Sequence, residues 1–373
     1  MSFSMLILKN LLRRRWRSGL TIIGIAVGIG AMVALTSIAW GFERSWLDVY
    51  RERGTDLIVT KQGSRSGIPA TFSGEIKTEL QALPHVQEAT ALLGDMFSIE
   101  DAPVTLVLGW ELHSSLWNHL NLIQGHWPTE ASTNNIVIGA ITAEMLGKSL
   151  GDRIQIETEE FTVCGIFTSS ALVENAGIIM PLSEMQILTE RQGLVNFFEM
   201  RLDRDTTAAE LERLRTLIKT KFKGLIAFSP GEVPQANAGI QIAKAMSLAT
   251  SLIALVVGAI GVMNTLLMSV FERLQEIGIL LALGWKPRRI LRMILFESLS
   301  LSFAGGVMGC ALGFVVVRFL LASPWIRGKI TGEVPPLVLG TALLIALFLG
   351  MLGGIYPAWV GSRMSPVTAL RHE

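Results

Sequence analysis

The sequence predicts a membrane protein with four transmembrane α-helices and a large extracytoplasmic α/β domain between the first and the second helix. Four long intervals carry no charged residue, and each is long enough to cross about 30 Å of hydrocarbon. Charged residues make up only 17% of the chain, against about 25% in soluble proteins. Most of them fall in residues 43–244, where the strand and helix patterns of a soluble domain also occur.

The first transmembrane helix is predicted at residues 18–42, a run of 25 residues without a charge. The segment before it, residues 1–17, has five basic side chains and no acidic one, which is typical of a cytoplasmic flank and favours a membrane contact over nucleic acid. A cleaved signal peptide is the alternative, because Ser37 and Ala39 resemble a cleavage site. The length of the apolar run and the further spans behind it favour a retained helix.

Residues 43–244 predict the extracytoplasmic domain, with two weakly similar α/β halves. The helical character of the first span continues to Gly54. The first half is predicted as a strand, a helix and a strand at 56–61, 73–83 and 86–93. The second half is predicted as a strand at 197–202 and an amphipathic helix at 206–222, whose inward residues are Leu211, Leu214, Leu217 and Ile218. Short strand signals between the halves, at 104–108, 135–138, 153–157 and 160–167, indicate an inserted β-rich lobe.

Three more transmembrane helices are predicted at residues 245–271, 298–321 and 337–359. They leave a charged segment at 272–297, an outer loop at 322–336 and a tail at 360–373. Glu297 and Arg318 bracket 20 uncharged residues, or about 30 Å of helix. Neither charge therefore has to lie at the bilayer centre, where it would cost roughly 3 kcal/mol or more. Pro357 is expected to end or bend the last helix.

Small residues spaced four apart predict close helix packing within the membrane. The candidates are Gly24, Gly28, Gly305, Gly309, Gly313, Gly350 and Gly354. The three-glycine stripe between 305 and 313 is the most specific of these signals, whereas the first pair fits ordinary glycine content equally well.

The charged segment 272–297 reads as two short helices separated by a turn. Leu274, Ile277 and Leu281 share one helical face. Gly284 suits the end of the first helix, and Pro287 suits the first turn of the second. We interpret the segment as a cytoplasmic docking element.

The distribution of basic residues predicts that both termini are cytoplasmic. Twelve basic residues flank the ends assigned to the inside, and three flank the short outer loop. Cys164 is placed in the soluble domain and Cys310 in the membrane, so no disulfide is expected between them.

Catalytic, nucleotide and metal motifs are not evident in the sequence. The triplet at 147–149 imitates the end of a phosphate-binding loop, but position 142 is Thr where that motif needs Gly. The histidines lack metal-ligand spacing. We expect no enzymatic activity, no metal and no bound cofactor in this chain.

The segments 258–264 and ERLQEIGILLALGWKPRRIL, together with the ending YPAxxxSRxxPVxALRxE, resemble the MacB/FtsX-type permeases of ABC transporters. The start LxxLLRRRWRSGLTIIGIAVG is similar to the start of those proteins. The resemblance covers the whole chain and implies a porter-like part at 43–103 and 198–240, with an inserted lobe at 104–197. Members often carry a basic residue shortly after the Glu-Ile-Gly triplet, whereas this chain has apolar residues there.

The resemblance implies a homodimer in the bacterial inner membrane that is driven by a separate ABC ATPase carrying ATP and Mg²⁺. We expect a separate ATPase because only 17 residues precede the first span. The resemblance places the coupling helix after the second span, which assigns ATPase coupling to Glu272, Arg273, Glu276, Ile277, Gly278, Leu281, Ala282 and Gly284.

The predicted function is mechanotransmission: ATP hydrolysis in the cytoplasm moves the outer domain to export or extract a load. Efflux with a periplasmic adaptor protein and release of lipoproteins are both compatible with it. The alternative is an FtsX-like signal relay to a cell-wall hydrolase, which is disfavoured because FtsX-like outer domains tend to be smaller. An anchored binding protein without an ATPase would not need the charged 272–297 segment.

Overall fold

A computed structural model describes residues 15–62, 69–100, 104–130, 133–233, 238–322 and 332–363. The chain forms two compact units. Of the described residues, those within 15–39, 244–320 and 332–363 form the helical unit, and those within 40–243 together with 321–322 form the α/β unit. The N-terminal residues 1–14, the centre of the predicted outer loop and most of the predicted tail lie outside the described residues.

Ten α-helices and twelve strands occur in the described part of the chain. The helices are α1 Arg15–Arg53, α2 Lys77–Gln81, α3 Ala140–Leu146, α4 Leu172–Asn175, α5 Leu182–Leu188, α6 Ala208–Lys221, α7 Ala238–Glu272, α8 Leu274–Ala282, α9 Pro287–Ala322 and α10 Pro336–Ser362. The strands are β1 Leu57–Lys61, β2 Phe72–Ser73, β3 Val86–Phe97, β4 Thr105–Trp110, β5 Asn121–Gly125, β6 Asn135–Gly139, β7 Arg153–Ile156, β8 Glu159–Thr168, β9 Gly177–Pro181, β10 Leu194–Val195, β11 Phe197–Leu202 and β12 Leu225–Phe228.

Four of these helices are long and apolar enough to cross a membrane: α1, α7, α9 and α10. The second short helix predicted after Pro287 is wrong, because α9 runs without a break from Pro287 to Ala322. Arg288, Arg289 and Arg292 at the start of α9 are good helix formers, so the helix continues through them into its apolar part. Pro357 lies inside α10 and does not end it, since the helix continues to Ser362.

Glycines let the helices of the helical unit approach closely. A methyl group added at Gly309 would lie 2.7 Å from Cβ of Ile29 and 2.9 Å from the carbonyl oxygen of Ala26. Gly305 and Gly313 face α1 in the same way, which makes one seam between α1 and α9. Such backbone proximity requires a residue without a Cβ.

A second seam joins α9 to α10. Gly350 and Gly354 lie against Ser302 and Ser298, and the Ser298 hydroxyl donates to the carbonyl oxygen of Gly350 over 2.5 Å. The first predicted pair behaves differently. Gly28 approaches Ala254 of α7, but a methyl group at Gly24 would meet no described atom within 4 Å. Gly24 therefore mediates no close helix contact in the described part of the chain.

The α/β unit is built on one ten-stranded sheet with the order β12-β1-β11-β3-β4-β9-β6-β8-β5, and β7 pairs with β8 outside this path. The two α/β halves are β1-α2-β3 and β11-α6-β12. They interleave, because β1 lies between β12 and β11 and pairs with both in antiparallel orientation. This is the split βαβ arrangement of ferredoxin-like domains.

The strands of the lobe continue the same sheet. β3 pairs with β11 on one side and with β4 on the other, both antiparallel, and β4 pairs with β9 in parallel. The described part of this unit contains four apolar clusters, of which one lies around Phe198, Leu214 and Ile218 and another around Ile136, Ile138 and Met180. Sequence patterns did not indicate β2, β5, β9, β10 or β12.

Helix α6 packs its apolar face on the first of these cores. Leu214 and Ile218 are buried, and Leu211 contacts the core from its edge. The prediction for Leu217 is wrong, because its side chain is 40% exposed. The helix begins with a capping box in which Thr207 and Glu210 bond each other's backbone amides, which fixes its start.

Candidate functional site

Helix α8 and the turn behind it form a compact element between two membrane-spanning helices. Gly284 ends α8 with a φ of 87°, a left-handed conformation that glycine adopts at little cost. The amides of Gly284 and Trp285 donate to the carbonyl oxygens of Leu281 and Leu280, both over 3.0 Å. Pro287 then opens α9, so the chain reverses within four residues.

One face of α8 is buried within the helical unit. Ile277 is only 2% exposed and packs with Val270, Ile290 and Ile294, while Leu281 contacts the same cluster. Gly278 is buried beside it. The face predicted from Ile277 and Leu281 is therefore the inner face, which holds α8 in place.

The basic side chain of Arg273 is also buried, and it forms an ion pair with Glu297 of α9. Nη1 of Arg273 lies 3.4 Å from Oε2 of Glu297, and the two side chains are 9% and 8% exposed. The pair therefore links Arg273, which directly precedes α8, to Glu297 on α9. Four of the residues predicted for ATPase coupling thus contribute to packing within this unit: Arg273, Ile277, Gly278 and Leu281.

The opposite face of α8 is exposed and mixes charge with apolar surface. Glu276 and Ala282 are exposed, as are Glu272 and Gly284 at the two ends. Ile279 is 49% exposed and Leu283 is 74% exposed. Ile279 and Leu283 were not predicted as coupling residues. They follow Gln275 at intervals of four residues, so the three positions lie on one face of the helix, and this spacing could have indicated the outer face.

The turn adds a basic and aromatic margin to this face. Lys286, Arg288 and Arg289 are exposed, and the guanidinium of Arg289 lies 4.5 Å from the ring centre of Trp285. A cation over an indole ring is attracted by its electrons and holds the ring in place. We call the exposed residues of α8 and this turn, from Glu272 to Arg289, the docking face.

A second cluster of functional interest lies in the α/β unit, at the end of α1. Arg53 is the last residue of α1, and its Nε donates to Oε1 of Glu174 over 2.8 Å. Its Nη1 donates to Glu199. All three side chains are at most 5% exposed. The guanidinium also lies 4.8 Å from the ring centre of Trp110.

Neighbouring polar groups complete this ion cluster. Thr55 donates to Oε2 of Glu199 over 2.6 Å, and Ser169 donates to Oε2 of Glu174 over 2.5 Å. Nε2 of His119 lies 2.8 Å from the same Glu174 oxygen. The buried carboxylates are thus satisfied by hydrogen bonds as well as by charge, as burial requires.

The electrostatics of the cluster follow from burial and pairing. Burial opposes the charged form of Glu174, but Arg53 and His119 outweigh it and hold the pKa of the carboxyl at about 2. Glu199 and Glu174 in turn compensate the positive charge of Arg53 against the cost of burial.

Metal and phosphate chemistry find no support in the described residues. No group of three His, Cys, Asp or Glu side chains there could hold a metal ion. Gly147 has a φ of 63° and ends α3, so the triplet at 147–149 is a helix end followed by a turn.

Comparison with known proteins places these features in one family. The chain matches the MacB-like periplasmic core domain over residues 18–216 and the FtsX-like permease C-terminal domain over residues 248–366. It therefore belongs to the MacB/FtsX-type permeases of ABC transporters, which are multi-pass membrane proteins.

The relatives differ in length. An uncharacterized ABC transporter permease of Methanocaldococcus jannaschii is 26% identical, and the match covers 98% of this chain and 96% of that protein. The macrolide export ATP-binding/permease protein MacB of Bdellovibrio bacteriovorus is 25% identical, covering 98% of this chain and 61% of its own. The pyoverdine export ATP-binding/permease protein PvdT of Pseudomonas syringae is 28% identical, covering 96% and 58%. The chain thus spans about three fifths of the length of these two export proteins.

Among solved structures, the periplasmic region of MacB from Actinobacillus actinomycetemcomitans matches half of this chain. It has 15% sequence identity and a TM-score of 0.40, and the match covers 50% of this chain and 94% of that region.

Proposed function

We propose that this chain is the permease subunit of an ABC transporter and couples ATP hydrolysis in a partner ATPase to movement of its extracytoplasmic α/β domain, for export or extraction of a load. The observation that carries the proposal is the docking face. An exposed helix with apolar and acidic side chains, held between two membrane-spanning helices, is the geometry that a cytoplasmic protein needs to act on both helices together.

The surface of α8 is suited to protein binding. Exposed large apolar residues such as Ile279 and Leu283 in the middle of a patch, with charged residues at its margin, match the usual anatomy of a protein interface. The buried face and the Arg273–Glu297 pair hold α8 against α7 and α9. Movement of a docked ATPase would therefore be passed to these helices.

The remaining parts of the proposal follow the family. Both termini and the docking face are cytoplasmic, the permease is a homodimer, and ATP with Mg²⁺ is bound by the ATPase and not by this chain. The glycine seams support the proposal, because tightly packed helices move together more readily than loosely packed ones.

The test measures ATP turnover by the purified ATPase with this chain reconstituted in nanodiscs. Leu283→Asp, Ile279→Asp and Glu276→Lys should each reduce permease-dependent stimulation at least tenfold, and Gly278→Pro should abolish it by breaking α8. Ile123→Asp is the matched control, because Ile123 is 53% exposed in the α/β unit. Full stimulation in all four docking variants would refute the assignment of the ATPase contact.

The load is a separate question. The two export relatives are named for macrolides and pyoverdine, so small-molecule efflux is the first load to examine. Mass spectrometry of chains that co-purify with the complex separates the possibilities: an adaptor protein supports efflux, a lipoprotein supports lipoprotein release, and a cell-wall hydrolase supports an FtsX-like signal relay in place of transport.

A further inference from the structure

We infer that Arg53 is the positioning residue that fixes the end of α1 to the α/β unit, so that any displacement of α1 carries both parts of this unit with it. The inference rests on the proposed function and adds to it the side chain through which the motion passes.

The position of Arg53 in the chain is the first argument. It is the last residue of a helix of 39 residues, and Gly54 ends that helix with a φ of 66°. Its carbonyl oxygen accepts a hydrogen bond of 2.9 Å from Nη2 of Arg201. Two arginines therefore meet the negative end of the α1 dipole, which favours both charges there. Tyr50 and Trp46 of α1 make apolar contacts with the same unit one and two turns earlier, and Arg53 adds a polar attachment at the point where the helix ends.

The partners of Arg53 are the second argument. Glu199 belongs to β11, in the porter-like part of the sheet, while Glu174 belongs to α4, in the lobe. They are 146 and 121 residues away from Arg53 in sequence. Trp110 of β4 covers the guanidinium. One side chain thus links α1 both to the porter-like part of the unit and to the lobe.

The chemistry of the cluster is the third argument. A guanidinium is planar and its donors point in fixed directions, so two carboxylates on different sides fix both its position and its orientation. A buried ion cluster is weak evidence for stability alone, because apolar side chains of similar size often stabilise a protein as well. Apolar contacts, however, can slide, whereas separation of these charges would leave each of them buried without its partner.

A second guanidinium of the same unit provides the control. Arg215 of α6 has a side chain 17% exposed, and its Nη2 lies 2.7 Å from Oε2 of Glu232. It also donates to Ser229 over 2.7 Å. Arg215 is also a paired guanidinium of this unit, although its partner Glu232 is 43% exposed. It does not lie on α1, so its loss should affect stability without loosening α1.

The experiment measures distances between two spin labels in the full-length protein in nanodiscs, with its ATPase, without nucleotide and with trapped ATP. One label replaces Arg44 on α1, and the other replaces Gln124 on β5; both positions are exposed. The background carries Cys164→Ala and Cys310→Ser, and an excess of unlabelled chain removes distances between copies. We expect one narrow distribution, the same in both states.

Arg53→Gln should broaden this distribution at least twofold without nucleotide and shift it further with ATP, while Arg215→Gln leaves it narrow. Arg53→Lys keeps the charge but cannot hold both carboxylates at once, so its distance distribution should have an intermediate width. This variant provides the test if Arg53→Gln does not fold. An unchanged narrow distribution in the Arg53 variants, or a nucleotide-dependent change in the parent protein, would overturn the inference. If the proposed function is wrong, the parent chain will not stimulate the ATPase. The widths of the distance distributions measured without nucleotide still decide the role of Arg53 in that case.

Discussion

Arg273 and Glu297 form a buried ion pair across 24 residues of sequence, with Nη1 and Oε2 3.4 Å apart. Arg273 is the residue between α7 and α8, and Glu297 lies on α9. The pair therefore closes the element that carries the docking face, and it explains why a carboxylate can be buried in an apolar part of the chain: its charge is compensated within the same unit.

Removal of one partner of this pair should be costly. Glu297→Gln should leave Arg273 buried with a single neutral acceptor and lower the free energy of unfolding by about 3–5 kcal/mol. The measurement is unfolding of the purified chain in mixed micelles. Arg273→Met combined with Glu297→Leu should recover most of the loss, because no charge then stays buried. A double variant that is less stable than the single one would contradict this account.

The α1–α9 seam should tolerate no side chain at Gly309. Gly309→Ala places a methyl group 2.7 Å from Cβ of Ile29, and overpacking of this kind typically costs about 1–3 kcal/mol. Gly24→Ala is the matched control, since a methyl group there meets no described atom within 4 Å; it should be neutral or stabilise α1 by up to about 1 kcal/mol. Equal effects of the two substitutions in the same unfolding assay would argue against the seam.

The ion cluster around Glu174 should make the stability of the α/β unit depend on pH. Because the pKa of Glu174 is about 2 in the folded chain and 4.5 ordinarily, its charge contributes stability that is fully present above about pH 4.5 and is lost as the pH falls toward 2. The shift corresponds to on the order of 3 kcal/mol.

Urea unfolding of the parent chain and of Glu174→Gln, followed at pH 7 and pH 3, measures this contribution. The free energies of unfolding of the two proteins should differ by on the order of 3 kcal/mol at pH 7 and on the order of 1 kcal/mol at pH 3. If the difference stays constant or grows as the pH is lowered, the charged form of the Glu174 carboxylate does not stabilise the fold, and the prediction is wrong.

Cys164 should be an unreactive thiol in the folded protein. It is buried, and burial raises its pKa to about 11. Since the thiolate is the reactive form, alkylation at pH 8 should be about 100-fold slower than for an ordinary cysteine. Mass spectrometry of the iodoacetamide-treated peptide checks this, with an exposed cysteine from Gln124→Cys as the reference. Fast labelling of Cys164 without denaturant would show that the core around it opens.

Local patterns were sufficient to predict many elements but not their partners. The four apolar helices follow from uncharged runs, and the predicted bounds of the strand Phe197–Leu202 are the observed ones. Arg53 could be seen to end a helix, yet nothing local pairs it with carboxylates more than 120 residues away. Similarly, helical spacing places Ile277 and Ile279 on different faces of α8, but only the packing of α8 on α9 decides that the first is buried and the second exposed.

The interleaving of the two α/β halves has a consequence for how this domain could be exchanged between proteins. β1 follows α1 and β12 precedes α7, and the two strands are antiparallel neighbours with Ile58 opposite Phe228. The chain therefore enters and leaves the domain at the same end of adjacent strands. A domain whose two ends meet can be inserted into a host without changing the spacing of the host's helices. Replacement of everything between Gly54 and Val233 by the equivalent segment of a relative is thus a single transplantation, with two neighbouring junctions to preserve.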